Sequence, residues 1–79
     1  MLQSEYSVRY AKFCQLLIAA RKEHGLTQVD LAQRLGAPQP FVSKYERGER
    51  RIDLVEFLAI IRSTGADPHE FIRQMEEGR

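Results

Sequence analysis

The chain has only one cysteine, Cys14, and no apolar run near the 18 or so residues that a membrane span requires. A lone cysteine excludes an internal disulfide, which fits a reducing compartment. The amino terminus carries Glu5 ahead of any apolar stretch and lacks the features of a secretory signal. These absences predict a cytoplasmic protein without a membrane partner.

Residues that carry chemistry are equally scarce. The two histidines, His24 and His69, lie far apart along the chain and form no metal-ligand spacing or nucleophile signature with Cys14. No glycine-rich phosphate loop is present. The sequence therefore argues against an enzyme and predicts no bound metal, no cofactor and no small-molecule ligand.

The composition is that of a small globular domain. The 79 residues are 43% apolar and 29% charged, and a chain of this length buries one core. Apolar residues recur at helical spacings, and no alternating strand pattern occurs. We expect an all-α fold, a compact bundle of five short helices in a single domain spanning residues 1–79.

The net charge is only +1, but it is unevenly distributed. Residues 1–51 contain nine Lys and Arg against five Asp and Glu, whereas residues 52–79 contain three against six. The densest basic stretch consists of Lys44, Arg47, Arg50 and Arg51. Such a cluster is compatible with nucleic-acid binding, although a run of charge is more often a solvated surface, so charge alone does not decide.

The first part of the chain contains two predicted helices. The first spans about residues 7–24 and is followed by Gly25. Its apolar stripe consists of Tyr10, Phe13, Leu17 and Ala20. Thr27 is a suitable N-cap for the second helix, and Asp30 supplies the acidic residue of a capping box. The second helix is predicted to end at Gly36, and its apolar edge consists of Leu31, Ala32 and Leu35.

Two prolines delimit a third helix. Pro40 disfavours the helical conformation at Gln39, so we expect Gln39 to be the N-cap and Pro40 to lie in the first turn. Pro38 stiffens the connection to the second helix, which predicts a steep, fixed angle between the two. The helix is predicted to end at Gly48, and its core-facing residues are Val42 and Tyr45.

Two more helices are predicted within residues 53–77. The fourth spans about residues 53–63 and precedes Gly65, and its apolar face consists of Leu54, Phe57, Leu58 and Ile61. The fifth begins with an N-cap, a first-turn proline and a capping-box acid, in that order Asp67, Pro68 and Glu70. Its apolar residues are Phe71, Ile72 and Met75. Both helices are expected to complete the core.

The stretch "GLTQVDLAQRLGAPQPFVSKYERGERRIDLVEFLAI" resembles the XRE family, the phage repressor and Cro type of helix-turn-helix domain. "LTQVDLAQRLG" is similar to the second helix and turn of that family, and "VSKYERG" to its third helix and exit glycine. The resemblance covers roughly residues 10–65, with the core motif at 27–48. It implies a lambda-repressor-like fold and a sequence-specific transcriptional regulator that inserts the third helix into the major groove of double-stranded DNA.

The resemblance implies base contacts from the third helix. Gln39 matches a position that commonly reads a base, and a glutamine amide can pair bidentately with adenine, the alternative being a capping role alone. Lys44 lies one turn further along the same face, where it can donate to guanine or bind a phosphate. Ser43 is a weaker candidate. Phe41 either contacts a thymine methyl or packs beneath the turn.

The resemblance also implies phosphate contacts. Gln28 matches a position at the start of the second helix that approaches the DNA backbone. Arg47, Arg50 and Arg51 are expected to reach phosphates or the adjacent minor groove, although the chain after them can turn Arg50 and Arg51 into solvent. Pro40 replaces a residue that is often glutamine or serine in relatives, so specificity is expected to depend more on Lys44 and on DNA shape.

Two charged residues are assigned to structure instead of DNA binding. Arg21 and Glu46 match positions that in many relatives form a partly buried ion pair between the first and third helices. Removal of one partner would leave the other charge buried and unpaired.

One such module contacts only a few base pairs, so the resemblance implies a homodimer on a palindromic operator, with recognition helices about 34 Å apart. The dimer interface is expected on the fifth helix. Cys14 and Ile18 either pack on the fifth helix within one chain or form part of a subunit interface with Phe71 and Met75. The rival class is a protein-binding scaffold, antitoxin-like or co-regulatory, and the polar third helix favours DNA.

Overall fold

The computed structural model describes residues 3–77, with side chains from residue 5 onward, and these residues form five α-helices and no strand. The helices are α1 (Gln3–Glu23), α2 (Gln28–Leu35), α3 (Gln39–Glu46), α4 (Leu54–Thr64) and α5 (Pro68–Glu77). The predicted all-α, five-helix architecture is confirmed. Within residues 3–77, none of the helices is both long enough and apolar enough to cross a membrane.

The amino-terminal helix is longer than its apolar stripe predicted. It begins at Gln3 instead of about Ser7, because no glycine or proline interrupts the first turns and Glu5 suits a helix amino terminus. Its thiol-bearing residue, Cys14, is buried, and the Cys14 thiol donates a hydrogen bond to the Tyr45 carbonyl oxygen at 3.4 Å. Cys14 therefore faces α3 in the same chain, and burial raises the pKa of its thiol.

The caps of α2 are those that the sequence predicted. The Thr27 hydroxyl accepts from the Asp30 backbone N–H at 3.0 Å, and the Asp30 carboxylate accepts from the Thr27 N–H at 2.9 Å. These hydrogen bonds lower the pKa of Asp30. Gly36 ends the helix at φ 67°, in the left-handed region that glycine tolerates best.

The predicted N-cap of α3 was wrong by one residue. Pro38 is the N-cap, with an extended backbone (φ −71°, ψ 149°), while Gln39 and Pro40 are the first two helical residues. The conformational restriction before a proline is a preference, and here Pro38 itself supplies the extended residue. The Gln39 side chain is therefore not used as a cap and remains available for other contacts.

One core joins all five helices. Its least exposed members are Leu17, Leu31, Val42, Tyr45, Ile60 and Ile61. A trio of aromatic rings, Phe13, Phe57 and Phe71, ties α1, α4 and α5 together, with centroids 4.9 to 5.7 Å apart. Ala32, also buried, lies on α2 where a small side chain permits close helix packing.

The predicted apolar faces of the last two helices need correction. Leu54 and Ile72 are exposed, with 66% and 48% of their surface accessible, whereas Ile60, which the sequence analysis omitted, is buried. Leu54 belongs to the first turn of α4, so it lies at the end of that face. Asp67 caps α5 by accepting the His69 N–H at 3.1 Å, but Glu70 pairs with Arg73 instead of completing a capping box.

We expect Leu31→Ala to lower the free energy of unfolding by about 2 to 5 kcal/mol, because Leu31 has no exposed surface and truncation leaves a cavity. Val29→Ala, on the same helix but 52% exposed, is the control and should change stability by less than about 0.5 kcal/mol. Urea denaturation followed by circular dichroism measures both. Equal effects of the two variants would contradict this packing of α2.

Candidate nucleic-acid interface

The third helix is an eight-residue segment with one buried and one exposed side. Val42, Tyr45 and Glu46 are buried, whereas Gln39 and Lys44 are exposed. Its connection to α2 is three residues long and contains Pro38, which holds both short helices in a fixed relation. The two helices thus present one continuous polar surface.

A chain of hydrogen bonds crosses that surface from α3 to the interior. The Gln39 amide nitrogen donates to Gln28 Oε1 at 2.8 Å, and the Gln28 amide nitrogen donates to Glu46 Oε1 at 2.9 Å. Glu46 also accepts from Arg21 through Nε at 2.7 Å and Nη2 at 3.0 Å. Arg21 Nη1 donates to the Leu26 carbonyl oxygen at 2.9 Å. One network therefore connects α1, α2 and α3.

The carboxylate of Glu46, paired with Arg21, fixes the orientation of both amides. A carboxylate only accepts hydrogen bonds, so Gln28 must direct its NH₂ group at Glu46 and its oxygen at Gln39. Gln39 must then use one N–H on Gln28. Among the residues that the structure describes, none forms a hydrogen bond with the second N–H or the Oε1 of Gln39, and Gln39 lies on the exposed side of α3. This donor and acceptor pair is the arrangement that bidentate recognition of adenine requires.

The Arg21–Glu46 ion pair is buried and forked. Only 8% and 6% of the two residues are exposed, and both carboxylate oxygens accept from the guanidinium. The hydrogen bonds that Arg21 donates to Glu46 raise the pKa of Arg21 above its ordinary value. The structure thus brings together the two residues assigned to an ion pair.

Phe41 packs against the protein. Its ring lies edge-on to Tyr45 with centroids 5.3 Å apart, and the Arg50 guanidinium lies 4.9 Å from its ring centroid. The ring is half-buried against the core. These contacts favour packing, and they leave only part of the ring for a thymine methyl.

The loop arginines are engaged with neighbouring side chains. Arg47 donates to both oxygens of Glu49, at 2.8 and 3.2 Å, and to the Ser43 hydroxyl oxygen at 3.0 Å. Arg50 donates to both oxygens of Glu56, at 3.2 and 2.9 Å. The arginine partners lower the pKa values of Glu49 and Glu56.

Arg51 turns towards α1. Its guanidinium carbon lies 4.7 Å from the Tyr6 ring centroid and 4.5 Å from that of Tyr10, and Nη1 donates to the Tyr6 hydroxyl. This is the geometry of a cation–π interaction with two stacked rings. Lys44, by contrast, extends from α3 as an exposed ammonium. The basic residues from Lys44 to Arg51 therefore differ in their contacts. Lys44 is exposed, whereas the arginines contact carboxylates or aromatic rings.

The sequence analysis missed four residues of this surface, Tyr6, Tyr10, Glu49 and Glu56. Residues two apart do not face each other on a helix, so "RGE" gave no sign of the Arg47–Glu49 pair. Gly48 reverses the chain with φ 78° and brings the two side chains together. Arg51 and Tyr6 are 45 residues apart, and only packing of α1 beside the loop joins them.

A family model described as helix-turn-helix matches residues 17–71 of the chain. Among solved structures, an XRE-family like protein from Pseudomonas syringae pv. tomato str. DC3000 is 43% identical, with a TM-score of 0.90. That match covers 94% of this chain and 90% of the other. A mutant of the restriction-modification controller protein C.Esp1396I is 23% identical, has a TM-score of 0.80 and shares the fold, with 89% of each chain covered. No curated protein matches the chain.

We expect Arg21→Met or Glu46→Leu alone to lower the free energy of unfolding by about 3 to 5 kcal/mol, because each leaves a buried charge without its partner. The double variant should lose much less than the sum, since it removes both charges together. Urea denaturation of all four proteins completes the cycle. Additive losses would mean that the two side chains are not coupled.

Proposed function

Because the chain belongs to the XRE family of helix-turn-helix DNA-binding regulators, we propose that it is a sequence-specific transcriptional regulator that inserts α3 into the major groove. The observation that carries this proposal is the free donor and acceptor pair of Gln39, held in one orientation by Gln28 and Glu46. An amide fixed in advance loses little conformational entropy on binding, which favours base discrimination.

The remaining residues of the surface are assigned base contacts, packing or phosphate contacts. Lys44 reaches a guanine or a phosphate from the exposed side of α3, and Ser43 contributes its hydroxyl proton, since its oxygen already accepts from Arg47. Phe41 shapes the surface through packing. The Gln28 backbone N–H belongs to the first turn of α2, whose amides are free of intrahelical partners, so it suits a phosphate. Arg47 and Arg50 contact phosphates after the phosphates displace Glu49 and Glu56 from the guanidinium groups.

Arg51 is the weakest of the proposed phosphate ligands. Its guanidinium is held between the α1 tyrosines, and the adjacent Ile52 N–H donates to the Tyr10 hydroxyl at 3.3 Å. We propose that Arg51 mainly fixes the loop that carries Arg47 and Arg50.

A dimer would use an apolar surface of α4 and α5. The exposed Leu54 and Ile72 line a groove of about 240 Å³, whose other apolar lining residues are Phe13, Ile52, Phe57, Phe71 and Met75. Projecting side chains beside a groove can pair with the same surface of a second copy, as a two-fold interface requires. Phe71 itself is buried in the core, so Ile72 replaces it as the proposed contact.

Selection of bound duplexes from a randomised DNA pool at roughly physiological salt tests the function as a whole. We expect enrichment of a palindrome with half-sites about one helical turn apart. An unenriched pool would overturn sequence-specific recognition and favour a protein partner for the same surface.

Gln39→Ala should weaken binding to the selected site by about 1 to 3 kcal/mol and remove discrimination at one base pair, because the amide is lost. Gln74→Ala, an exposed glutamine on α5, is the control and should leave binding unchanged. Titration of the site and its single-base variants by fluorescence anisotropy measures both. If Gln39→Ala still discriminates between the site and all its single-base variants as wild type does, Gln39 does not recognise a base.

Ile72→Glu should shift the protein towards monomer, because it places a charge within the proposed apolar interface. Val8→Glu introduces the same charge at a 67% exposed site on α1 and should leave the oligomeric state unchanged. Sedimentation velocity across a concentration series gives the answer. A dimer that persists in Ile72→Glu would place the interface elsewhere.

A further inference from the structure

One forked ion pair on the proposed DNA surface joins Arg47 to an acidic residue next to α3. Arg47 is the C-cap of α3, and its Nε and Nη2 donate to the two oxygens of Glu49. Nη1 donates to Ser43. Each guanidinium nitrogen therefore already has a partner within the chain, and the forked edge formed by Nε and Nη2 is occupied by Glu49.

Carboxylates and phosphates use the same forked geometry on arginine. A phosphate that approached Arg47 bidentately would need the edge that Glu49 occupies, or would have to share the guanidinium with a second anion. We propose that Glu49 is an intramolecular competitor of DNA at Arg47, which weakens DNA binding and lowers its salt dependence. This inference rests on the proposed function, because it concerns the same surface.

The backbone keeps the competitor in place. Gly48 reverses the chain in a left-handed conformation, and the N–H groups of Glu49 and Arg50 both donate to the Lys44 carbonyl oxygen, at 2.9 and 3.3 Å. The turn therefore holds the Glu49 side chain beside Arg47.

The Arg47–Glu49 pair is also exposed enough for a phosphate to replace the carboxylate. The Arg47 and Glu49 side chains are 55% and 56% exposed, whereas those of Arg21 and Glu46 are 10% and 4% exposed. An exposed pair is weak and screened by salt, so a phosphate can displace the carboxylate. Glu49 thus lowers the affinity for DNA without preventing binding.

The test uses Glu49→Gln, which keeps the size of the side chain and removes its charge. The probe is a fluorescein-labelled duplex of about 20 mixed-sequence base pairs, titrated at several salt concentrations. We expect roughly three- to tenfold tighter binding at low salt and a salt slope steeper by up to about one unit, because the charge of Arg47 is then no longer offset by Glu49.

Two further variants separate competition from other effects. Glu77→Gln removes the same charge from an exposed arginine pair on α5, Arg73–Glu77 at 2.7 Å, and should change neither affinity nor slope. When Arg47 has already been replaced by alanine, Glu49→Gln should change neither the affinity for DNA nor the salt slope, because the guanidinium for which Glu49 and DNA compete is absent.

Four outcomes would overturn the inference alone. Unchanged binding of Glu49→Gln would show that no competition occurs, and weaker binding would show that Glu49 positions Arg47 for DNA. An equal gain in Glu77→Gln, or a gain that persists without Arg47, would assign the effect to overall charge. Wild-type protein that binds no duplex would overturn the proposed function as well, so the two failures are distinguishable.

Discussion

The buried carboxylate of Glu46 is the group on which the proposed recognition surface depends. It is paired with Arg21 from α1 and accepts the Gln28 amide from α2, so one side chain of α3 ties together the first three helices. Burial makes this arrangement obligatory, because an unpaired charge in the interior is costly. The same carboxylate, as a pure acceptor, determines which atoms of Gln39 face outward. Stability and the proposed recognition of DNA therefore depend on one network.

The charged residues of the loop after α3 are exposed, in contrast to the buried Arg21–Glu46 pair. Arg47 and Arg50 have carboxylate partners that water and salt can compete with. Within the described part of the chain, Arg51 has no acidic partner and is held by two aromatic rings. The number of arginines in the sequence thus overstates the positive charge that this surface offers to DNA, since Glu49 and Glu56 offset part of it.

Local signals accounted for most of the fold. Thr27 with Asp30, and the glycines at 25, 36 and 65, act within a few residues, so they could be recognised without knowing the partners of each helix. The errors arose where packing decides. Leu54 has the spacing of a core residue but lies exposed in the first turn of α4, and Ile60 is buried although the stripe omitted it.

By itself, the sequence determined the five helices, the short connection between α2 and α3, and the likeness to XRE-family domains, because these depend on spacing, caps and prolines. It also suggested the Arg21–Glu46 pair, but only through that likeness. Only the tertiary structure decided the direction of the Gln39 amide, the contact of Arg51 with Tyr6 and Tyr10, and the pairing of Arg47 with Glu49. Those contacts join side chains whose approach is set by helix packing and by one left-handed glycine, which residue spacing does not encode.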